Sequence, residues 1–347
     1  MNSMERMVKC LHHEEADRVP VYPILGGCVR HLVGASYKEW STNADVCAEG
    51  FIKARELTGC DCIVTLIDLS VECTAWGQEL EFEEKNAAHP NYKNQVIKTE
   101  EDYEKIQKVD YRTCERMMMH IDVCKKLVED SKGEYPVIAF VFGPLGTLSM
   151  LRNQEQMYMD CIEEPEMVKE AAARINETLM EYAEALLDTG IQGIMIDTLF
   201  ASGSIMRKEM WDDLEGELVE KFAQRVKAKN GLFMIHNCGD KIYFDVQIQR
   251  MHPDAISFLY PPADCKDFAE CKEKYGKQTT LIGCVQPTSV TYASDEEFEA
   301  ECKKNMEIMA AGGGYVLATG CEYPSDTPLD RAVKMRELAE TFGAYGK

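Results

Sequence analysis

The stretch Gly231-Leu232-Phe233-Met234-Ile235-His236-Asn237-Cys238-Gly239 runs from continuous apolar residues straight into a histidine and a cysteine. Apolar residues on both faces of a strand imply cover on both sides, the condition of a parallel sheet flanked by helices. The same pattern recurs on either side of this stretch. Short β-rich apolar runs occupy residues 19–25, 62–67, 137–142, 193–196, 231–235, 254–258, 279–283 and 314–318, with helical patterns between them. Eight strands alternating with helices predict an α/β fold whose parallel sheet closes into a (β/α)₈ TIM barrel. An open doubly wound sheet is the alternative.

Helix starts punctuate the intervals. Thr99 precedes Glu100-Glu101, Pro165 occupies a first helical position, Ser294 and Glu297 make a capping box, and Thr327-Pro328 reads as N-cap and first residue. Residues 167–187 carry apolar side chains at helical spacing. The segment 71–109 is too long for a turn between the second strand and its helix, and is expected as a rim insertion or lid. No Pro/Gly/Ser-rich linker divides the chain, so residues 1–347 are expected to be one domain with an N-terminal extension.

Sixty acidic residues against 38 basic ones give a formal net charge of −22. Such a field repels nucleic acid and anionic membrane surfaces and suits a small-molecule substrate or a partner protein with a complementary patch. The start of the chain is charged and polar and no long apolar run occurs, so a cytoplasmic enzyme without signal peptide or membrane span is expected. The 15 cysteines are about one residue in 23 of the chain, read as reduced thiols, and with 19 methionines they suit an anaerobic host.

In a barrel, chemistry gathers where strands end and βα loops begin. Just past the strands stand Asp68 and Glu72, Asp197, His236-Asn237-Cys238, Cys284, and Cys321-Glu322. His236 and Cys238, two residues apart at a strand end, can converge on one ion, with Cys321 delivered from the last strand. One imidazole and two thiolates suit Zn²⁺ and leave a fourth position open for water or substrate. Cys284 is a possible additional or alternative ligand. Asp68, Glu72 and Asp197 are candidates for general acid/base work, for orienting the histidine, or for capping loops. Cys60 and Cys62, and the cysteines in helical patterns, read as small buried apolar residues.

Over nearly its whole length the chain resembles the uroporphyrinogen decarboxylase superfamily. The resemblance is carried by Glu14-Glu15-Ala16-Asp17-Arg18-Val19-Pro20-Val21, by Phe142-Gly143-Pro144-Leu145-Gly146-Thr147 with Leu151-Arg152, and by Asp254-Ala255-Ile256-Ser257 and Gly283-Cys284-Val285-Gln286-Pro287. It implies a (β/α)₈ barrel. Decarboxylases of this superfamily carry an arginine-rich segment early in the chain, whereas residues 23–30 here hold Arg30 alone. A polycarboxylated tetrapyrrole would lack its cationic clamps. His236-Asn237-Cys238 followed by Cys321, with Asp68-Leu69-Ser70-Val71-Glu72, is similar to the zinc-dependent, corrinoid-linked methyltransferase branch, such as methylcobamide:coenzyme M methyltransferases. That resemblance implies His236, Cys238 and Cys321 as zinc ligands, a corrinoid (cobalamin) carried by a partner protein, and methyl transfer to or from a small molecule such as a thiol. The alternatives are a decarboxylase, a non-catalytic barrel that binds, or a zinc hydrolase using Glu322 as base.

Overall fold

The computed structural model describes residues 1–346. Among the described residues nine strands are formed: β1 (Ile63–Val64), β2 (Leu80–Glu81), β3 (His89–Pro90), β4 (Val137–Phe142), β5 (Gly193–Asp197), β6 (Leu232–Asn237), β7 (Ala255–Phe258), β8 (Thr280–Val285) and β9 (Tyr315–Thr319). Seven of them make one parallel sheet in the order β1-β4-β5-β6-β7-β8-β9, and β2 and β3 form a separate antiparallel hairpin. From β4 onward the apolar runs of the sequence lie on these strands with ends shifted by no more than two residues.

The remaining stave, first in chain order, is residues 19–25, which the sequence pattern offers as a strand and the structure shows as an irregular one. Val21 bridges Leu317 alone. Backbone bonds nonetheless run to both neighbours: Tyr22 N–H to Leu317 O at 2.9 Å, Leu317 N–H to Pro20 O at 2.9 Å, and Asp61 N–H to Val21 O at 2.8 Å. Pro20 and Pro23 bring no N–H, so the ladder cannot extend. The sheet thereby closes into the expected (β/α)₈ barrel. The second strand is likewise shorter than residues 62–67: pairing covers Ile63–Val64, with one further bond from Thr65 N–H to Ile138 O at 2.9 Å.

Two cores follow from the alternation of side chains. Val64, Ile138, Phe140, Met195, Met234, Ile282 and Val316 fill the lumen, while the outward-facing residues pack under the helices. The helix Pro165–Leu187 buries Val168, Ala171, Ala172, Ile175, Leu179, Tyr182 and Leu186, the stripe that its spacing predicts. Pro165 and the Ser294/Glu297 capping box sit at helix starts as read. Thr327-Pro328 does not: that helix begins at Asp330, because the Pro328 carbonyl is held by the Tyr323 hydroxyl at 2.6 Å in the preceding loop.

At the N-terminal end the helix Ser3–Leu11 plugs the barrel with Met7 and Cys10. Asp61, with no exposed surface, anchors it. Its carboxyl takes Arg6 Nη1 at 2.6 Å, Arg18 Nη1 at 2.7 Å and the Val21 N–H at 2.8 Å. At the other end, residues 71–109 carry the β2–β3 hairpin between two 3₁₀ turns, Glu72–Trp76 and Glu100–Lys105. Among the described residues no helix is long and apolar enough to cross a membrane.

Candidate metal centre

Register across the sheet places the site. Asp197 on β5 lies opposite His236 on β6, and His236 lies opposite Ser257 on β7. Residues in register share a face, so these three polar side chains form one lateral row. Below them Phe140, Met195 and Met234 fill the lumen, and the Phe140 ring lies 5.9 Å from that of His236. Ser257 Oγ is 3.0 Å from His236 Nδ1, which fixes the ring and leaves Nε2 available.

The chain then turns to bring the thiols in. Asn237 bridges the turn, donating from Nδ2 to Thr198 O at 2.7 Å and accepting the Gly239 N–H at 2.9 Å, with Cys238 held between. Cys321 follows β9 through Gly320, where a Cβ would meet Leu259 Cα at 2.7 Å, so only glycine lets the chain pass. The result is a group in which the ligand atoms of His236, Cys238 and Cys321 all lie within 4.8 Å of one another.

The three groups share charge as a unit. The Cys321 thiol, hydrogen-bonded by Cys238 and beside His236, is held well below its ordinary range despite burial. Cys238, in the same hydrogen bond, is raised. Burial opposes a charged His236, but the adjoining Cys321 and Asp197 outweigh it and hold the ring above its ordinary value.

These side chains open on a cavity of about 350 Å³, whose walls include Asp68, Asp197, Glu322, Leu66, Leu69, Met150 and Leu199. The hairpin roofs it with Asn86, Ala87, Ala88 and His89. Two hydrogen bonds hold that roof down, Ser70 Oγ to Ala88 O and Ser325 Oγ to Lys85 O, each 3.0 Å.

The candidate residues divide. Asp197 lies on the wall, buried, with Oδ1 lacking any partner, and burial pushes its carboxyl up to about 7. Glu322 also lines the cavity; burial pushes it up to about 7 while its Oε1 takes the Gly27 N–H at 3.0 Å. Asp68 reaches the cavity but is gripped by Arg116, Nη1 to Oδ1 at 3.0 Å and Nη2 to Oδ2 at 2.6 Å. Glu72 does not line it. Its carboxyl, pushed up to about 8 by burial, accepts the Phe142 N–H at 3.2 Å and ties the loop to the end of β4.

Cys284 stands apart as well. Strand alternation breaks at Gly283, whose φ of 147° and close approach to the Phe258 carbonyl exclude a side chain. Ile282 faces the lumen, whereas Cys284 belongs to the outer core. Cys60 and Cys62 are buried, Cys62 low in the lumen beside Met7. Sequence reading did not single out Arg116, Ser257 or the hairpin residues. Ser257 was within reach, since it is the lone polar residue between Ile256 and Phe258 in its apolar run.

The profile of the family described as uroporphyrinogen decarboxylase (URO-D) matches residues 2–342. The chain is 25% identical over 334 residues to the methylcobamide:CoM methyltransferase MtaA of Methanosarcina barkeri, covering 94% of each protein. It is 22% identical over 204 residues to a uroporphyrinogen decarboxylase of Helicobacter pylori, covering 56% of this chain and 57% of that one. Among solved structures, a methyltransferase from Methanosarcina mazei superposes with a TM-score of 0.80 at 21% identity, over 99% of this chain and 100% of the other.

Proposed function

The chain belongs to the uroporphyrinogen decarboxylase family, and from that premise we propose that it is a zinc-dependent methyltransferase. On this reading it moves a methyl group between a corrinoid (methylcobamide) carried by a partner protein and a small-molecule acceptor or donor such as a thiol. The observation that carries the reading is the meeting of His236, Cys238 and Cys321 at the cavity. Full-length similarity to a methylcobamide:CoM methyltransferase supports it.

The donor set suits the metal. One imidazole and two sulfurs within 4.8 Å match a zinc ligand set that keeps one position open. Bound there, Zn²⁺ would keep a coordinated thiol deprotonated near neutral pH or polarise a methylated heteroatom. The protein's own groups do the rest. Ser257 holds the imidazole in one orientation, Asn237 holds the turn that presents Cys238, and the apolar walls exclude water from the reacting groups. Asp197, with a free oxygen beside the ligands, is placed to hold or accept a proton from the small molecule. Asp68 is a positioning carboxylate of the wall rather than a free base, because Arg116 engages both its oxygens.

A decarboxylase reading meets a specific obstacle. No Lys or Arg is among the described residues that line the cavity, and Arg30 is held by Asp326 at 2.6 Å and by the carbonyls of Gly27 and Ser325. A polycarboxylate would be desolvated without counter-charge.

Metal analysis of anaerobically purified protein beside Cys321→Ser tests the proposal. Stoichiometric zinc in the wild type, lost in the variant, together with methyl transfer from methylcobalamin to a thiol panel, is expected. Wild-type protein that takes up no zinc from a zinc-supplemented culture would end the reading.

A further inference from the structure

We infer that the small molecule handled in the cavity beside His236, Cys238 and Cys321 is uncharged with an apolar body, and that sulfonates, phosphates and carboxylates are excluded. This deepens the function proposed above and rests on it for the identity of the reacting group.

The walls carry the argument. Leu66, Leu69, Phe140, Met150 and Leu199 face the space. At the rim Tyr92 stacks on His89, ring centroids 5.4 Å apart and 11° from parallel. The described lining residues include no lysine or arginine, the imidazoles of His89 and His236 being their basic groups, whereas Asp68, Asp197 and Glu322 are all present. The Arg116 fork behind this wall is committed to both oxygens of Asp68 and to the Ser41 carbonyl. Away from the ligand atoms of His236, Cys238 and Cys321, a fixed anion would therefore lose its water with no lysine or arginine to meet it.

A cation fares little better. Asp68 already has its guanidinium, and Glu322 Oε1 already takes a backbone N–H. Asp197 Oδ1 is the buried carboxylate oxygen on this wall without a partner among the described residues. One lone oxygen suits one hydroxyl or similar neutral donor on an otherwise apolar molecule. A volume of about 350 Å³ falls in the range of small-molecule sites and holds a substituted single ring.

Matched probes isolate the charge. Methoxybenzene, para-methoxybenzenesulfonate and para-methoxyphenyltrimethylammonium share one methyl ether and differ in charge; mercaptoethanol and mercaptoethanesulfonate make the same comparison for thiols. Binding is measured calorimetrically on the full chain, both metal-free and zinc-loaded. The neutral ether should bind on the order of 100-fold more tightly than its sulfonate, and the neutral thiol should likewise be preferred. Leu199→Arg and, separately, Leu69→Lys, both at half-buried positions, should narrow or reverse the preference, so either variant serves if the other fails to fold. A sulfonate or ammonium probe that binds as tightly as the neutral ether overturns the inference, as does the absence of saturable binding by any probe. Since the metal-free protein is titrated too, a failure to take up zinc removes the methyltransferase reading while the charge preference is still decided.

Discussion

At the floor of the barrel the Asp61 carboxyl meets Arg6, Arg18 and a backbone N–H; at the mouth, one oxygen of Asp197 meets nothing. Both are buried acids of one closed sheet. The floor closes the fold, tying the N-terminal helix, the first stave and the approach to β1 into one ionic knot. The mouth leaves burial of Asp197 uncompensated, and its carboxyl is pushed up to about 7 as a result. Stability is concentrated at one end and unsatisfied chemistry at the other, the division expected of a barrel whose loops at a single face do the work.

The largest effect should come from breaking the floor. Asp61→Asn strands the buried Arg18 guanidinium and leaves Arg6 with Asp17 alone as counter-charge, and should lower unfolding free energy by about 3–5 kcal/mol, read by urea denaturation. A loss under about 1 kcal/mol would mean the knot is not what holds the end closed. At the mouth the opposite signature is expected. Cys321→Ser should weaken zinc binding by about 100-fold or more while the metal-free protein melts close to wild type; a large drop in metal-free melting temperature would make Cys321 a packing residue.

Glu72 sharpens the comparison, since it is a buried carboxyl outside both clusters. Its folded value of about 8 lies above the unfolded one, so its contribution to stability is complete at low pH and is lost as pH rises through 8. Glu72→Gln keeps an acceptor for Phe142 N–H and cannot ionise. It should gain on wild type by roughly 1–3 kcal/mol between pH 6 and pH 9, and a gap that stays constant would show that Glu72 is not titrating there. The smallest effect is expected from Ser257→Ala, which frees the His236 ring without removing a ligand. Metal affinity should fall about 10-fold, and an unchanged affinity would show that the ring needs no such brace.

Much of the barrel was legible because β4, β5, β6 and β8 are buried on both faces and so read as continuous apolar runs. The first stave was legible as a position but not as an irregular one, since its form depends on two prolines that remove ladder donors beside β9. The metal-capable triad was readable because its members stand at strand ends. Their surroundings were less so. The pairing of Asp68 with Arg116 joins residues 48 apart in the chain, and no local pattern encodes a partner on a distant helix. Cys284 misled for a related reason: a strand-end cysteine should face the mouth, but the break at Gly283 turns it toward the helices. Thr327-Pro328 has the composition of a helix start, yet the Tyr323 hydroxyl claims the Pro328 carbonyl and the helix waits for Asp330.

The plug formed by the helix Ser3–Leu11 has a kinetic consequence. Phe140, Met195 and Met234 fill the lumen beneath His236, and Met7 and Cys10 close its floor, so the small molecule enters the cavity from the mouth. If methyl transfer requires a partner-borne group to come down over that same mouth, the small molecule must already be inside. Such one-door traffic imposes an order of arrival and departure, and an excess of the partner should slow turnover by trapping the product beneath it.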